Sequence, residues 1–181
     1  MEKLVALLRG INISGKNKIP MQELKLGFES LGYKEVITYL NSGNVIFSSD
    51  INDKDKISND IYKMIESKFN LEIPVFVIRS YELKELLDNK PDWWGTNNKD
   101  IYDNIIFIIP PMTYKAVYDA LGEPKTELEK IKEYKNNIFW SYDLKNYRKT
   151  NWWSKTASTS IRDSITIRTA NTMKKVLELC N

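Results

Sequence analysis

The chain has 181 residues, of which 42% are hydrophobic, enough to bury the core of one ordinary domain or of two small ones. Its net charge of +3 at pH 7 is too small to indicate a nucleic-acid partner by itself. It contains no histidine and a single cysteine, which excludes Ser-His-Asp and Cys-His catalysis, HExxH zinc sites and any intramolecular disulfide.

Six elements are predicted in the first half, in the order β-α-β-β-α-β. The first strand is apolar almost throughout, which indicates burial on both of its faces. In the first helix Met21, Leu24, Phe28 and Leu31 recur at steps of three and four residues and form one apolar stripe. The predicted elements are a strand at 3–11, a helix at 20–31, strands at 36–40 and 44–48, a helix at 54–69 and a strand at 73–78.

The second half predicts the same order less clearly, after a linking helix at 80–88. Gly122 and Pro124 end its first helix, and Asn136-Asn137 indicates the turn of a hairpin. The predicted elements are a strand at 103–109, a helix at 113–121, strands at 131–135 and 138–143, a poorly defined helix at 154–161, a strand at 164–168 and a helix at 172–180.

This order predicts an α+β fold made of two tandem ferredoxin-like (β-α-β-β-α-β) units, the second decorated with extra helices. We place the first unit at 1–79 and the second at 80–181, the latter with the linking helix and the C-terminal helix. The halves share no residue-level identity, so the expected duplication is one of architecture.

The first strand leads through a loop rich in glycine, asparagine and lysine into a helix. Such a strand-turn-helix directs backbone N–H groups and cations to one point, which suits an anion, although the spacing is neither GxxxxGK[ST] nor GxGxxG. In a ferredoxin-like sheet this loop and the turn between strands two and three lie at the same end. The candidate ligand-binding residues there are Arg9, Gly10, Asn12, Lys16, Ser42, Gly43 and Asn44.

A second polar group is predicted near the C-terminus. Arg168 lies in the predicted last strand with Ile165 and Ile167. Because side chains alternate along a strand, it should point away from the isoleucines, on the same face as Thr166. We add Thr166, Arg168 and Lys175 to the candidate ligands. Each candidate also has a simpler explanation: ion pairing for Arg9, solvation for the lysines, turn formation for the asparagines and glycines, and helix capping beside Arg168.

The basic residues are unevenly distributed. The segment 144–175 carries eight basic residues and one acid, a net charge of +7, against −4 for the remainder. Trp152 and Trp153 stand among these cations, a mixture typical of single-strand binders, although tryptophan is equally a large core residue. The segment therefore carries an alternative function, a nucleic-acid-binding module at 145–175.

Three motifs, RGINISGKNKIPM, TYLNSGNVIFSS and TIRTANTMKKVLEL, resemble the domain of unknown function 1697 family, DUF1697. The usual Asn-Trp after the third motif's arginine is replaced by Thr169-Ala170. The resemblance implies a duplicated ferredoxin-like fold and supplies no activity or cofactor. The residues that fit the family patterns are Arg9, Gly10, Asn12, Gly15, Lys16, Met21, Ser42, Gly43, Asn44, Thr166, Arg168, Thr172 and Lys175.

The leading hypothesis is a non-catalytic binder of an anionic small molecule or nucleotide in a polar cleft. An enzyme remains a further alternative; it would use lysine or arginine, since Cys180 lies one residue from the end of the chain. No carboxylate spacing predicts a metal site. With no run of about 18 apolar residues and a first strand in place of a signal peptide, we expect a cytoplasmic protein without membrane contact.

Overall fold

The computed structural model describes residues 1–181 and shows a mixed α+β protein with two four-stranded antiparallel sheets and six helices. The chain divides into two compact units, one comprising Met1–Lys84 with Lys175–Asn181 and the other Glu85–Lys174. None of the helices is long and apolar enough to cross a membrane. The strands are β1 (Glu2–Leu8), β2 (Lys34–Tyr39), β3 (Asn44–Ser49), β4 (Val75–Arg79), β5 (Ile101–Ile108), β6 (Glu129–Tyr134), β7 (Asn137–Asp143) and β8 (Ile165–Thr169).

The helices are α1 (Met21–Ser30), α2 (Lys54–Phe69), α3 (Ser80–Asp88), α4 (Tyr114–Leu121), α5 (Trp152–Ser158) and α6 (Ala170–Cys180), with short 3₁₀ turns at Tyr147–Lys149 and Arg162–Ser164. The predicted element order is confirmed in both halves. The bounds of α2 and α3 are those expected, and most other ends differ by one or two residues, where terminal turns fray.

The first sheet has the strand order β2-β3-β1-β4, so β1 and β3 occupy its centre. Leu7 of β1 lies opposite both Asn44 of β3 and Phe76 of β4. Residues Leu4–Leu8 are completely buried, which confirms that this strand is covered on both faces.

Helices α1 and α2 cover one face of that sheet. Leu24 and Phe28 of α1, with Ile57, Ile61 and Ile65 of α2, pack against alternate residues of the strands. The Asp53 carboxylate begins α2 by accepting from the N–H groups of Asp55 and Lys56, satisfying donors that the helix leaves without a partner. The apolar residues spaced three and four apart along α1 and α2 therefore form this core.

The second sheet has the equivalent order β6-β7-β5-β8. Helices α4 and α5 cover one of its faces, where Val117, Leu121 and Trp152 pack against Ile106, Trp140 and their neighbours. On the other face the indole of Trp94 lies 5.1 Å from the ring of Phe139 and donates to the carbonyl of Asn104. That bond anchors the loop before β5 to the sheet.

Candidate functional site

The loop after β1 (residues 9–20, the β1–α1 loop) is a small hairpin. The N–H of Lys16 donates to the carbonyl of Ile13 at 2.9 Å, and the N–H of Asn12 donates to that of Asn17 at 3.0 Å. The two turn residues, Ser14 and Gly15, have φ of 49° and 77°, the left-handed pair of a type I′ turn. The loop therefore has a defined conformation.

Asn12 joins this loop to the turn between β2 and β3 (residues 40–43, the β2–β3 turn). Its amide nitrogen donates to the carbonyls of Ile19 and Asn41, each at 2.9 Å, and its amide oxygen accepts from the N–H of Ile19. The two segments, about thirty residues apart in sequence, do meet at one sheet end. Because both amide hydrogens are engaged, Asn12 is a structural clamp, and a ligand would find only the remaining lone pair of its oxygen.

The β2–β3 turn depends on Gly43 and Asn44. The carbonyl of Gly43 accepts from the N–H of Leu8 at 2.8 Å, and a Cβ added at Gly43 would lie 2.7 Å from that of Leu8. Asn44 is completely buried and donates to the carbonyl of Tyr39 and the hydroxyl of Ser42. The predicted ligands Ser42, Gly43 and Asn44 thus hold the turn against β1, and their ligand role stays a prediction.

The cations of the β1–α1 loop differ in their surroundings. Arg9 is half-buried, and its backbone N–H donates to the carbonyl of Pro74 at 3.0 Å. Gly10 has a φ of 66°, and its carbonyl accepts from the side chain of Asn17. Lys16 and Lys18 are exposed, and their ammonium groups have no ion pair in the structure. Residues 9–20 and 38–49 contain these three cations and no acid, so the two segments together carry a net charge of +3.

In the second unit Thr166 and Arg168 lie together, as predicted, on the face of β8 opposite to that of Ile165 and Ile167. Both are buried, at 1% and 8% exposure. The Nη1 nitrogen of Arg168 donates to the Thr166 hydroxyl and to the carbonyl of Ile167, each at 2.9 Å. These bonds fix the guanidinium on the sheet.

Lys175 differs from these two residues. It is exposed on α6, and its ammonium pairs with the carboxylate of Glu178 at 2.8 Å. Its hydrogen bond to Glu178 raises the pKa of Lys175. Its charge is therefore largely compensated within its own helix.

An asparagine also joins the equivalent loop and turn of the second unit. Asn136, in the turn between β6 and β7, accepts from the N–H of Tyr114 at 2.7 Å and donates to the carbonyl of Met112 at 3.1 Å. The asparagine that joins the two segments belongs to the loop in the first unit and to the turn in the second. Beside it, Asn137 is buried and its amide oxygen has no hydrogen-bond partner.

Of the two explanations that the sequence left open for Trp152, the structure supports the core residue and excludes stacking on a base. Trp152 is completely buried, packs near Trp140 and donates its indole N–H to the carbonyl of Gly122 at 2.7 Å. Trp153 is 39% exposed and meets the ring of Tyr147 edge-on at 4.6 Å. The guanidinium of Arg148 lies over that tyrosine at 5.5 Å. The exposed aromatic surface is therefore formed by Tyr147, Arg148 and Trp153.

Glu129 is a buried polar residue that the sequence did not single out. It is 2% exposed, and its carboxylate accepts from the backbone N–H groups of Lys125, Asn151 and Trp152 and from the indole of Trp140. These bonds seat the start of α5 against the second sheet. A glutamate at the start of a strand has no local signal that would predict such burial.

The groups available for catalysis are limited. Burial raises the pKa of the Cys180 thiol to about 11, so the thiol is protonated at neutral pH. No three histidine, cysteine, aspartate or glutamate side chains are grouped to hold a metal ion. Nucleophilic chemistry at Cys180 therefore has no support from its surroundings.

Residues 1–139 match the family described as Protein of unknown function (DUF1697). The chain belongs to the DUF1697 family. The match ends within β7, so the third sequence motif, on β8 and α6, lies beyond it.

This DUF1697 chain is also similar to a solved structure, that of the conserved bacterial protein SP0830 from Streptococcus pneumoniae. The two chains are 25% identical, and the match covers 99% of each with a TM-score of 0.86. No curated protein matches the chain. Neither description names a substrate, so the comparisons establish a family and a fold without an activity.

Proposed function

We propose that this DUF1697 protein is a non-catalytic binder of an anionic small molecule or nucleotide, with the β1–α1 loop as part of its polar cleft. The observation that carries the proposal is the local charge: Arg9, Lys16 and Lys18 belong to the β1–α1 loop, which Asn12 fastens to the β2–β3 turn, and residues 9–20 and 38–49 contain no acid. The clamp of Asn12 supports it, because a loop already held in one conformation loses little entropy when a ligand binds.

The lysines are the groups that a ligand can reach. Their ammonium groups are exposed and carry no competing carboxylate, so a phosphate or carboxylate would not have to displace a partner. Thr166 and Arg168 are buried, so they would contact a ligand only if the ligand reached their face of β8. The predicted roles of Ser42, Gly43 and Asn44 are to hold the turn that such a ligand would touch.

The test is calorimetric titration with inorganic phosphate, citrate and ATP. The Lys16→Gln/Lys18→Gln variant should lose binding, whereas Lys130→Gln/Lys132→Gln, which removes the same charge from two exposed residues of β6, should retain it. Equal losses in the two variants would mean that only net charge matters, and the loop would then have no specific role. An Arg9→Gln variant measures the contribution of the half-buried cation.

The second candidate function is single-stranded nucleic-acid binding, which is favoured by the exposed Trp153 beside Tyr147 and Arg148. Stacking of a base on Trp153 is worth about 1–3 kcal/mol, so Trp153→Ala should weaken binding by that amount. Four or five phosphate contacts give a slope of log affinity against log salt of about −3, whereas one small anion gives a shallow slope. Absence of oligonucleotide binding at about 50 mM salt, where such binding is strongest, would exclude this candidate.

We also propose that the two units are tandem ferredoxin-like repeats with a boundary near residue 80. The equivalent strand orders, β2-β3-β1-β4 and β6-β7-β5-β8, and the asparagine clamps at corresponding loops support this proposal. Expression of residues 80–181, which contain the whole of the second compact unit, as a separate chain tests the boundary. Failure of this chain to fold would argue that the repeats do not act as independent units.

A further inference from the structure

A cavity of about 180 Å³ lies in the second unit, and the proposed function does not use it. It is formed by the loop before β5, the segment leading into β6 and the end of β7. The volume is below the roughly 300–1,000 Å³ of sites for drug-sized ligands, so it suits one small group. Its walls include Trp93, Ile101, Leu128 and Tyr142, and its charged residues are Glu127, Glu129, Lys130 and Asp143.

The charged residues of this cavity favour a cation. Three carboxylates and one ammonium give a formal excess of two negative charges, in a chain whose net charge is +3. Glu129 already accepts four N–H groups, so its carboxylate would attract a cation electrostatically rather than form a new hydrogen bond to it. Glu127 is exposed and has no ion pair or hydrogen bond, so its carboxylate is available to a ligand.

The aromatic walls agree with the charge. Trp93 is half-buried, and indole faces attract ammonium and guanidinium groups most strongly among aromatic side chains. Tyr142 is a neutral phenol at neutral pH, and burial raises its pKa further, to about 12, so this wall carries no charge. Lys130 opposes a cation, but it is exposed, and a lysine can turn its ammonium into water while its stem stays on the protein.

We propose that this cavity binds a single alkylammonium or guanidinium group against Trp93, with Glu127 and Asp143 as the counter-charges. The occupant is a free small amine or the basic side chain of a partner protein, since both present the same chemistry. The cavity, the two aromatic rings and the unpaired carboxylate all belong to one unit, so the site is independent of the β1–α1 loop.

The test is an NMR titration of the full chain with agmatine, whose two ends present the two candidate groups, an ammonium and a guanidinium, and with n-butanol as the neutral comparison. Agmatine should shift the indole N–H signal of Trp93, identified by its loss in Trp93→Phe, and saturate below about 10 mM. Butanol should bind at least about fivefold more weakly. Equal binding of the two compounds, or no saturation with agmatine, would overturn the proposal.

Two matched pairs of variants locate the charge. Glu127→Gln should weaken agmatine binding about threefold to tenfold, whereas Glu123→Gln, an exposed glutamate four residues earlier, should leave it unchanged. Lys130→Gln should tighten binding, and Lys132→Gln, on the same strand outside the cavity, should not. Equal effects within each pair would overturn a localised site, because they would report only the net charge of the chain.

Binding experiments with peptides distinguish the two possible sources of the cation. A ten-residue peptide with one central arginine is compared with its citrulline analogue and with agmatine. Tighter binding of the arginine peptide than of agmatine supports a partner's side chain, and the reverse supports a free amine. Equal binding of the arginine and citrulline peptides would contradict the proposal, because citrulline has nearly the same shape but a neutral urea in place of the guanidinium.

Discussion

At the scale of single residues, side-chain amides and one carboxylate complete the hydrogen bonding that irregular backbone leaves open. The side chain of Asn12 hydrogen-bonds to both the N–H and the carbonyl of Ile19, as a neighbouring strand would. The side chain of Asn136 does the same for the N–H of Tyr114 and the carbonyl of Met112. Glu129 collects the N–H groups at the start of α5. Such groups are costly to leave buried without partners, so the residues that satisfy them are structural wherever they lie.

The carboxylate of Glu129 should therefore be important for stability. We expect Glu129→Ala to lower the free energy of unfolding by about 3–5 kcal/mol, because it leaves several buried donors without an acceptor. Glu127→Ala, two residues earlier and exposed, should change it by less than about 0.5 kcal/mol. Urea unfolding with a common m-value measures both, and a small effect of Glu129→Ala would show that water replaces the carboxylate.

The thiol of Cys180 should react slowly in the folded chain. Its burial raises its pKa to about 11, against about 8.5 when unfolded, so modification by a thiol reagent at pH 8 should be more than about a hundredfold slower than in denaturant. Because the folded pKa is the higher one, stability should fall as the pH rises from about 8.5 towards 11. Stopped-flow modification rates test the first statement, and urea unfolding at several pH values across this range tests the second; a fast reaction at pH 8 would contradict the burial.

At the scale of elements, each unit fastens the loop after its first strand to the turn before its third strand. In the first unit the contact between Leu8 and Gly43 completes this arrangement. Few side chains can occupy that turn, because Gly43 is both left-handed and in close approach to β1. The sheet end is thus held by backbone contacts and by the side chain of Asn12, and side chains such as Lys16 extend beyond it into solvent.

A pair of glycine substitutions distinguishes the cost of a left-handed backbone conformation from the cost of a steric clash with a neighbouring residue. Gly43 and Gly32 have φ of 81° and 87°, but only at Gly43 would a Cβ meet another atom within 4 Å. We expect Gly32→Ala to cost about 1 kcal/mol and Gly43→Ala about 3 kcal/mol in thermal or urea unfolding. Equal costs would mean that the β2–β3 turn can move away from Leu8.

At the scale of the whole molecule, the C-terminal helix belongs to both compact units. The first part of α6 is grouped with the second unit, and Lys175–Asn181 is grouped with the first. Val176 and Cys180, in this last segment, are buried. The first unit is therefore completed by residues that the chain supplies last.

Removal of residues 175–181 tests this completion. We expect amide hydrogen exchange to accelerate in β1 and β3 of the first unit, because burial of Val176 and Cys180 is lost. The strands β5 and β7 should change less, and Lys174, which donates to the carbonyl of Gly95, is retained. Glu178→Ala, an exposed change in the same segment, is the control. Faster exchange confined to the second unit would contradict the assignment of α6.

The sequence by itself determined the element order and much of the core. Apolar periods of two and of three to four residues predicted the strands and helices, and α2 and α3 have the expected bounds because regular periodicity and caps act locally. It also determined that the 9–20 and 40–44 segments carry turn-forming residues at one sheet end. It identified the family from three motifs, two of them on or beside those segments and the third at residues 166–179.

Only the tertiary structure decided which polar and aromatic residues are buried. Adjacent residues of α5 differ completely: Trp152 fills the core against Trp140, and Trp153 faces solvent. Because α5 has seven residues, its apolar period is too short to predict its buried face. Burial of Glu129 likewise depends on N–H groups more than twenty residues away, and such long-range partners leave no local pattern in the sequence.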